Sequence, residues 1–341
     1  MDRRTPLRLG VRRMISETTP PVTRLFLATA FVLALAVVSL FIGVSNVSLA
    51  TLISGSEDGR ALMILVVSRI PRTLALILSG MGLAIAGMIM QMLARNRFVE
   101  PSTAGTTESA GLGMLVVLLF FPNIPLIGKM LIASVFALAG TALFLRILRE
   151  IPLRSVLLVP LVGIMLGGII SSITTFFAYR FELLQSLSNW QSGDFSTVLS
   201  GRYELLWIAA ALTLVAWLAA DRFTVAGMGE DFTTNLGLNH RNVMTLGLVI
   251  ISLISATVVV TVGAIPFLGL IVPNLVSMMM GDNLRRSVPW IAVFGAGFVL
   301  ACDIVGRLVR YPYEIPVGVV VGIVGAVLFL YLLLRREARL G

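Results

Sequence analysis

Ten runs of largely apolar residues, fifteen to twenty-five long, follow one another along this chain and limit the solvent in which it can fold. They lie at 25–44, 72–94, 103–121, 130–148, 155–179, 204–220, 243–262, 266–280, 288–306 and 316–334. A helix crosses a hydrocarbon core in about 20 residues. In lipid each backbone polar group must be bonded internally, which a helix does within itself. The composition agrees: 57% hydrophobic and 13% charged residues are too few polar groups to cover a water-soluble globule of 341 residues. The expected fold class is an all-α polytopic membrane protein with about ten transmembrane helices. The first run is read as a span, because a cleaved signal peptide has a shorter apolar region followed by a small-residue cleavage site.

Charge fixes the expected orientation. The net charge of +9 does not indicate nucleic acid, since the basic residues form short clusters between the apolar runs rather than a stripe. With the N-terminus inside, eighteen basic residues fall on inner segments: Arg3, Arg4, Arg8, Arg12, Arg13 and Arg24, then Arg95, Arg97, Arg146, Arg149, Arg154, Arg222, Arg241, Arg285, Arg286, Arg335, Arg336 and Arg339. Eight fall on outer segments and outer helix ends: Arg60, Arg69, Arg72, Lys129, Arg180, Arg202, Arg307 and Arg310. That excess has the positive-inside sign, so both termini are expected in the cytoplasm. The expected organisation is a cytoplasmic tail at 1–24, one transmembrane permease domain at 25–334 and a second cytoplasmic tail at 335–341.

The polar, turn-rich stretch DRFTVAGMGEDFTTNLGLNHRN at 221–242 then falls inside. Glu230 and Asp231 follow Gly229, and Gly237 lies just beyond Asn235 and Leu236, which are helix start and stop signals. A short helix at the membrane surface is expected there. Small residues at four-residue spacing, as at Ser79–Gly82 with Gly87, at Gly163 with Gly167, and at Gly318 with Gly322, let backbones approach where lipid gives no hydrophobic drive to associate. Pro266, Pro273 and Pro316 imply short or broken helices.

Chemistry is sparse. No Walker A, HExxH or GxSxG pattern occurs, His240 is the only histidine, and Cys302 is the only cysteine. No catalytic residue, metal site or directly bound cofactor is therefore expected, and the chain does not hydrolyse nucleotide by itself. Inside the runs, Asp303 lies four residues before Arg307, a spacing for a pair on one helix face. Glu108 lies near the inner end of its run among Ser102, Thr103, Thr106, Thr107 and Ser109. The amides of Gln91 and Asn274, with Ser155, either brace helices or line a path. A self-contained secondary carrier is the alternative from another class, with little buried carboxylate to support it.

Motifs from about residue 60 onward resemble the permease subunits of type II ABC importers, the iron-chelate and vitamin B12 (FecCD) family. They are Arg69-Ile70-Pro71-Arg72, SGMGLAIAGMIMQ at 79–91, Arg95-Asn96, Trp190 with Gly193-Asp194-Phe195, and Gly229-Glu230-Asp231 through Asn235-Leu236-Gly237. GAIPFLGLIVPN at 263–274, Gly281-Asp282, Gly295-Ala296, Ala301-Cys302-Asp303, Arg307 and Glu314-Ile315-Pro316-Val317-Gly318 complete the series. The resemblance implies ten helices per subunit and two permease subunits around one pathway, a paralogue being favoured over an identical copy. It also implies a cytoplasmic ABC ATPase dimer that uses the ATP and an extracytoplasmic substrate-binding protein.

In such permeases the loop matching 221–242 forms two short helices that dock into the ATPase, so Gly229, Glu230, Asp231, Asn235, Leu236 and Gly237 become the expected coupling residues. Arg69, Arg72 and Arg307 match positions that receive acidic residues of the binding protein. One departure stands out: where the family commonly has His after Val-Pro, this chain has Asn274, which cannot gain charge near neutral pH. That variant, with the Met278–Asn283 stretch, resembles ferric-siderophore permeases of the bacterial inner membrane. A cobalamin or haem importer is the alternative within the family.

Overall fold

The structure, a computed structural model, describes residues 21–43, 60–150, 158–281 and 283–337. Residues 1–20 and 338–341, and with them most of both tails, lie outside the described residues, as do Arg154, Ser155 and Asp282. Among the described residues the chain is helical, with no strand. Helix α1 is Pro21–Phe41, and α2 joins Arg60–Ile64, a π turn at Leu65–Arg69 and Ile70–Leu93. Then come α3 (Thr106–Phe120), α4 (Leu126–Glu150), α5 (Leu158–Arg180), α6 (Leu184–Gln191) and α7 (Trp207–Leu218). The remainder is α8 (Ala220–Met228), α9 (Glu230–Asn235), α10 (His240–Val262), α11 (Leu268–Met280), α12 (Leu284–Leu308) and α13 (Val317–Glu337).

Each of the ten expected runs carries a helix, but the lengths differ from expectation. Among the described residues six helices, α1, α2, α4, α5, α10 and α12, are long and apolar enough to cross a membrane. A seventh span results if α7 and α8, bent by 63° at Ala219, are taken together. The apolar parts of α3, α11 and α13 are shorter. Local chemistry explains two of these. Left-handed Gly105 and a 3-10 turn at Ser102–Ala104 precede α3, while Pro266 and left-handed Phe267 precede α11, which stops at Gly281. Helix α6 has no counterpart among the expected runs, because Gln185, Ser186 and Ser188 interrupt its apolar pattern.

Helix α2 is the hub. It packs against α7, α10, α11 and α12, and its most apolar window is 83% buried, against 11% for the peripheral α1. Small residues make this possible. A Cβ on Gly80 would lie 2.5 Å from the Gly295 carbonyl oxygen of α12, and one on Gly87 would lie 2.1 Å from that of Gly269 in α11. The helices therefore meet backbone to backbone at two heights. Helix α2 also starts earlier than expected, so Arg69, Pro71 and Arg72 lie within a long helix rather than at its entrance. The wider π turn precedes Pro71, which lacks an N–H and crowds the carbonyl four residues back. Outward-facing Phe26, Phe31, Ile164, Ile169 and Phe176 are all more than half exposed, a surface suited to hydrocarbon.

Candidate functional site

The expected residues fall in three groups, two near the end where α2 finishes and one toward its other end. At the end where α2 finishes, α7 bends into α8, and Gly229 separates α8 from α9 with φ 127° and ψ 164°, a conformation that a side chain would strain. The segment thus forms two helices around a glycine, not the one helix read from its start and stop signals. Its inner face is anchored: Phe223 and Ala226 are buried, and the Thr233 hydroxyl donates to the Val225 carbonyl at 3.3 Å. Gly227 lies against Met92, and Gly229 against Arg95, so the elbow rests on the last turn of α2. Asp221 pairs with Arg285 of α12 at 2.7 Å. The outer face presents Glu230, Asp231 and Asn235 beside Met228, Phe232 and Leu236, all exposed. Acids in the first turn of α9 complement its dipole, and Gly237 ends it with φ 76°.

At the opposite end the three expected arginines do come together, but they are buried and engaged. Arg72 donates to Asp303 Oδ1 through Nη2 at 2.7 Å and Nε at 3.2 Å, and to Glu314 Oε2 through Nη1 at 2.6 Å. Arg307 donates to the other Asp303 oxygen, as its i,i+4 spacing predicts, and to the Ile42 and Ser39 carbonyls at 2.7 and 3.0 Å. Arg69 donates to the Ile42 carbonyl. Asp303 is 1% exposed and Arg307 3%. A carboxylate shared by two guanidinium groups, with carbonyls taking further donors, ties α1, α2 and α12 together. Sequence reasoning missed Arg72 as the second partner of Asp303, and missed Ser39 and Ile42, which carry no signal inside an apolar run.

Near the elbow end of α2 lie the amides, Gln91 in its last turn. Gln91 Nε2 donates to the Gly269 carbonyl at 3.3 Å, and Asn274 Nδ2 donates to the carbonyls of Arg97 at 2.8 Å and Leu270 at 2.7 Å. Both link α11 to α2 or to the segment after it, which is bracing geometry. A third such link was not expected. Glu100, 2% exposed, accepts from the Phe267 backbone N–H at 2.7 Å and from the Ser102 hydroxyl at 2.5 Å, and so caps α11. In sequence it is an ordinary loop acid before Pro101. Glu108 lies with Thr107, Ser171 and Gln191 on a cavity of about 200 Å³ between α3, α5, α6 and α10. Its Oε2 has no partner among the described residues, and those residues hold no cluster of metal-ligating side chains.

A helical membrane bundle with an exposed acidic and apolar elbow at one end has the form of a transporter's membrane subunit. The FecCD transport family matches residues 30–335, and the chain belongs to that family. It is 50% identical to the petrobactin import system permease protein YclN of Bacillus subtilis over 304 residues, 89% of this chain and 96% of that one. It is 41% identical to the ferric-anguibactin transport system permease protein FatD of Vibrio anguillarum, over 87% of this chain and 94% of that one. A metal-chelate type ABC transporter in an inward-facing conformation superposes with a TM-score of 0.77 at 26% identity, over 92% of this chain and 99% of that one.

Proposed function

We propose that this chain is the membrane permease subunit of an ATP-driven importer that carries an iron(III)–siderophore complex across the bacterial inner membrane. It is a transporter subunit and not an enzyme: ATP is used by a cytoplasmic ABC ATPase dimer. A soluble protein delivers the chelate on the outer side, and a second permease subunit, a paralogue in preference to an identical copy, completes the pathway. Ten helices in the membrane, three of them with short apolar parts, and cytoplasmic termini complete the reading. Petrobactin and anguibactin permeases among the relatives support a siderophore over cobalamin or haem.

The single observation that carries the coupling reading is the α8–α9 elbow. Its outer face is exposed and offers both charge and apolar side chains, while its inner face is wedged on α2 and tied to α12 through Arg285. A partner that grips Glu230, Asp231, Phe232 and Leu236 thereby grips the hub of the bundle. Arg69, Arg72 and Arg307 mark the end that faces the binding protein. Since their charge is taken up internally, we propose that they shape the docking surface, and that the partly exposed Glu314 and exposed Arg310 meet the partner directly.

The test is the Glu230→Arg, Asp231→Arg double variant, produced with the ATPase, binding-protein and second-permease partners. It places repulsive charge at the start of α9. Membrane insertion stays normal, ATPase co-purification falls and uptake of ferric siderophore is lost. Full co-purification and uptake in that variant would refute the coupling role.

A further inference from the structure

Between the last turns of α4 and the first turns of α10, at the same end of the bundle as the elbow, lies a cavity of about 420 Å³. Arg146, Arg149 and Arg241 converge on it, against one acid, Glu150. All three arginines are exposed, and none makes a side-chain hydrogen bond or ion pair among the described residues. Arg285 at the start of α12 shows the ordinary alternative, being paired with Asp221. The remaining wall is built differently. Ala142 and Leu248 stand inward of the arginines along their two helices, four to seven residues or roughly 6–11 Å deeper, with Leu145 and Met244 between. The cavity is thus cationic at its mouth and apolar toward the middle of the membrane.

We propose that this cavity binds the phosphate headgroup of an anionic phospholipid, with an acyl chain laid against the apolar wall. Arginine suits that ligand, since its planar donors grip phosphate oxygens and it stays charged at any physiological pH. The first turn of α10, where the Asn239 side chain already accepts from the Asn242 N–H, adds the positive end of its dipole on the same side. Arginines kept only to set orientation need no shared cavity. Arg222 and Arg286 serve that end of the bundle without lining this space. A free phosphate would satisfy the mouth and leave the apolar wall unused, which favours the lipid. The site rests on the membrane placement proposed above, but not on which leaflet it meets. Inverted orientation, read by side-specific labelling, would leave binding intact and overturn only the placement.

The experiment compares phosphatidylglycerol, phosphatidylcholine and inorganic phosphate as ligands of the purified permease complex in detergent, with retention read by native mass spectrometry. The wild-type protein retains phosphatidylglycerol in preference to phosphatidylcholine. The triple variant Arg146→Gln, Arg149→Gln, Arg241→Gln binds it more weakly by roughly 10- to 100-fold, in line with the attraction of each basic group to an anionic lipid surface. Arg222→Gln with Arg286→Gln removes two charges at the same end and leaves retention unchanged. Leu248→Trp fills the apolar wall and lowers phosphatidylglycerol retention with every arginine in place. Equal retention in the triple variant and the wild type, or an equal loss in the Arg222, Arg286 pair, overturns the site. Inorganic phosphate held as tightly as phosphatidylglycerol overturns the lipid assignment.

Discussion

Replacing Asp303 by Asn tests a buried carboxylate shared by two arginines of this permease. The carboxylate is 1% exposed and receives donors from Arg72 and Arg307 on separate helices. The substitution keeps the shape but leaves two guanidinium groups facing each other without their shared counter-charge. Breaking a buried pair by removing one partner costs about 3–5 kcal/mol. Glu314 and the Ser39 and Ile42 carbonyls retain part of the coordination, so we place the loss near the lower end, about 3 kcal/mol. Glu314→Gln is the contrast. Its side chain is 28% exposed, water screens it, and the expected loss is below about 1 kcal/mol. Both are read from unfolding of the purified permease in mixed detergent micelles. Asp303→Asn combined with Arg307→Leu recovers part of the loss, since the second change removes the stranded charge. The network reasoning is refuted if Asp303→Asn destabilises no more than Glu314→Gln. A variant of normal stability with weakened, salt-sensitive binding-protein affinity would instead mark these arginines as direct docking groups.

Two further outcomes follow from the packing of α11. Gly87→Ala drives a Cβ into the Gly269 backbone, so α2 and α11 must part, with an expected cost of about 1–3 kcal/mol in the same unfolding assay; unchanged stability would mean that the close approach is not real. Asn274→Leu removes the donors to the Arg97 and Leu270 carbonyls and lowers stability by about 1–3 kcal/mol. A variant of full stability with slow uptake would place Asn274 on the pathway instead.

Periodicity and length in the sequence located every long helix, because a bilayer imposes one criterion on all of them. The same criterion misjudges helices embedded in the bundle. Helix α11 counts as a run in sequence, yet a proline and a left-handed Phe267 shorten it, and its first N–H groups are met by Glu100 from a distant loop. That contact spans 167 residues and leaves no local pattern. The Asp303–Arg307 pair was legible since both members share a helix, whereas Arg72 joins them from another. The elbow was legible as acids between two glycines, but its division into two helices came only from the resemblance, because φ at Gly229 is not written in composition.

The backbone contacts of α2 also set how far a displacement can travel. From Arg72 to Met92 the helix spans twenty residues, about 30 Å at 1.5 Å per residue. Gly80 on Gly295 and Gly87 on Gly269 leave no room for α11 or α12 to slide independently past it. A rod held this way behaves as a lever. A tilt of about 10° about its elbow end would carry Arg72 sideways by roughly 5 Å, and Asp303 with it. Motion imposed on one side of the membrane would then be delivered to the other as a translation of the entire charged cluster, with no need for any side chain in between to change its partner.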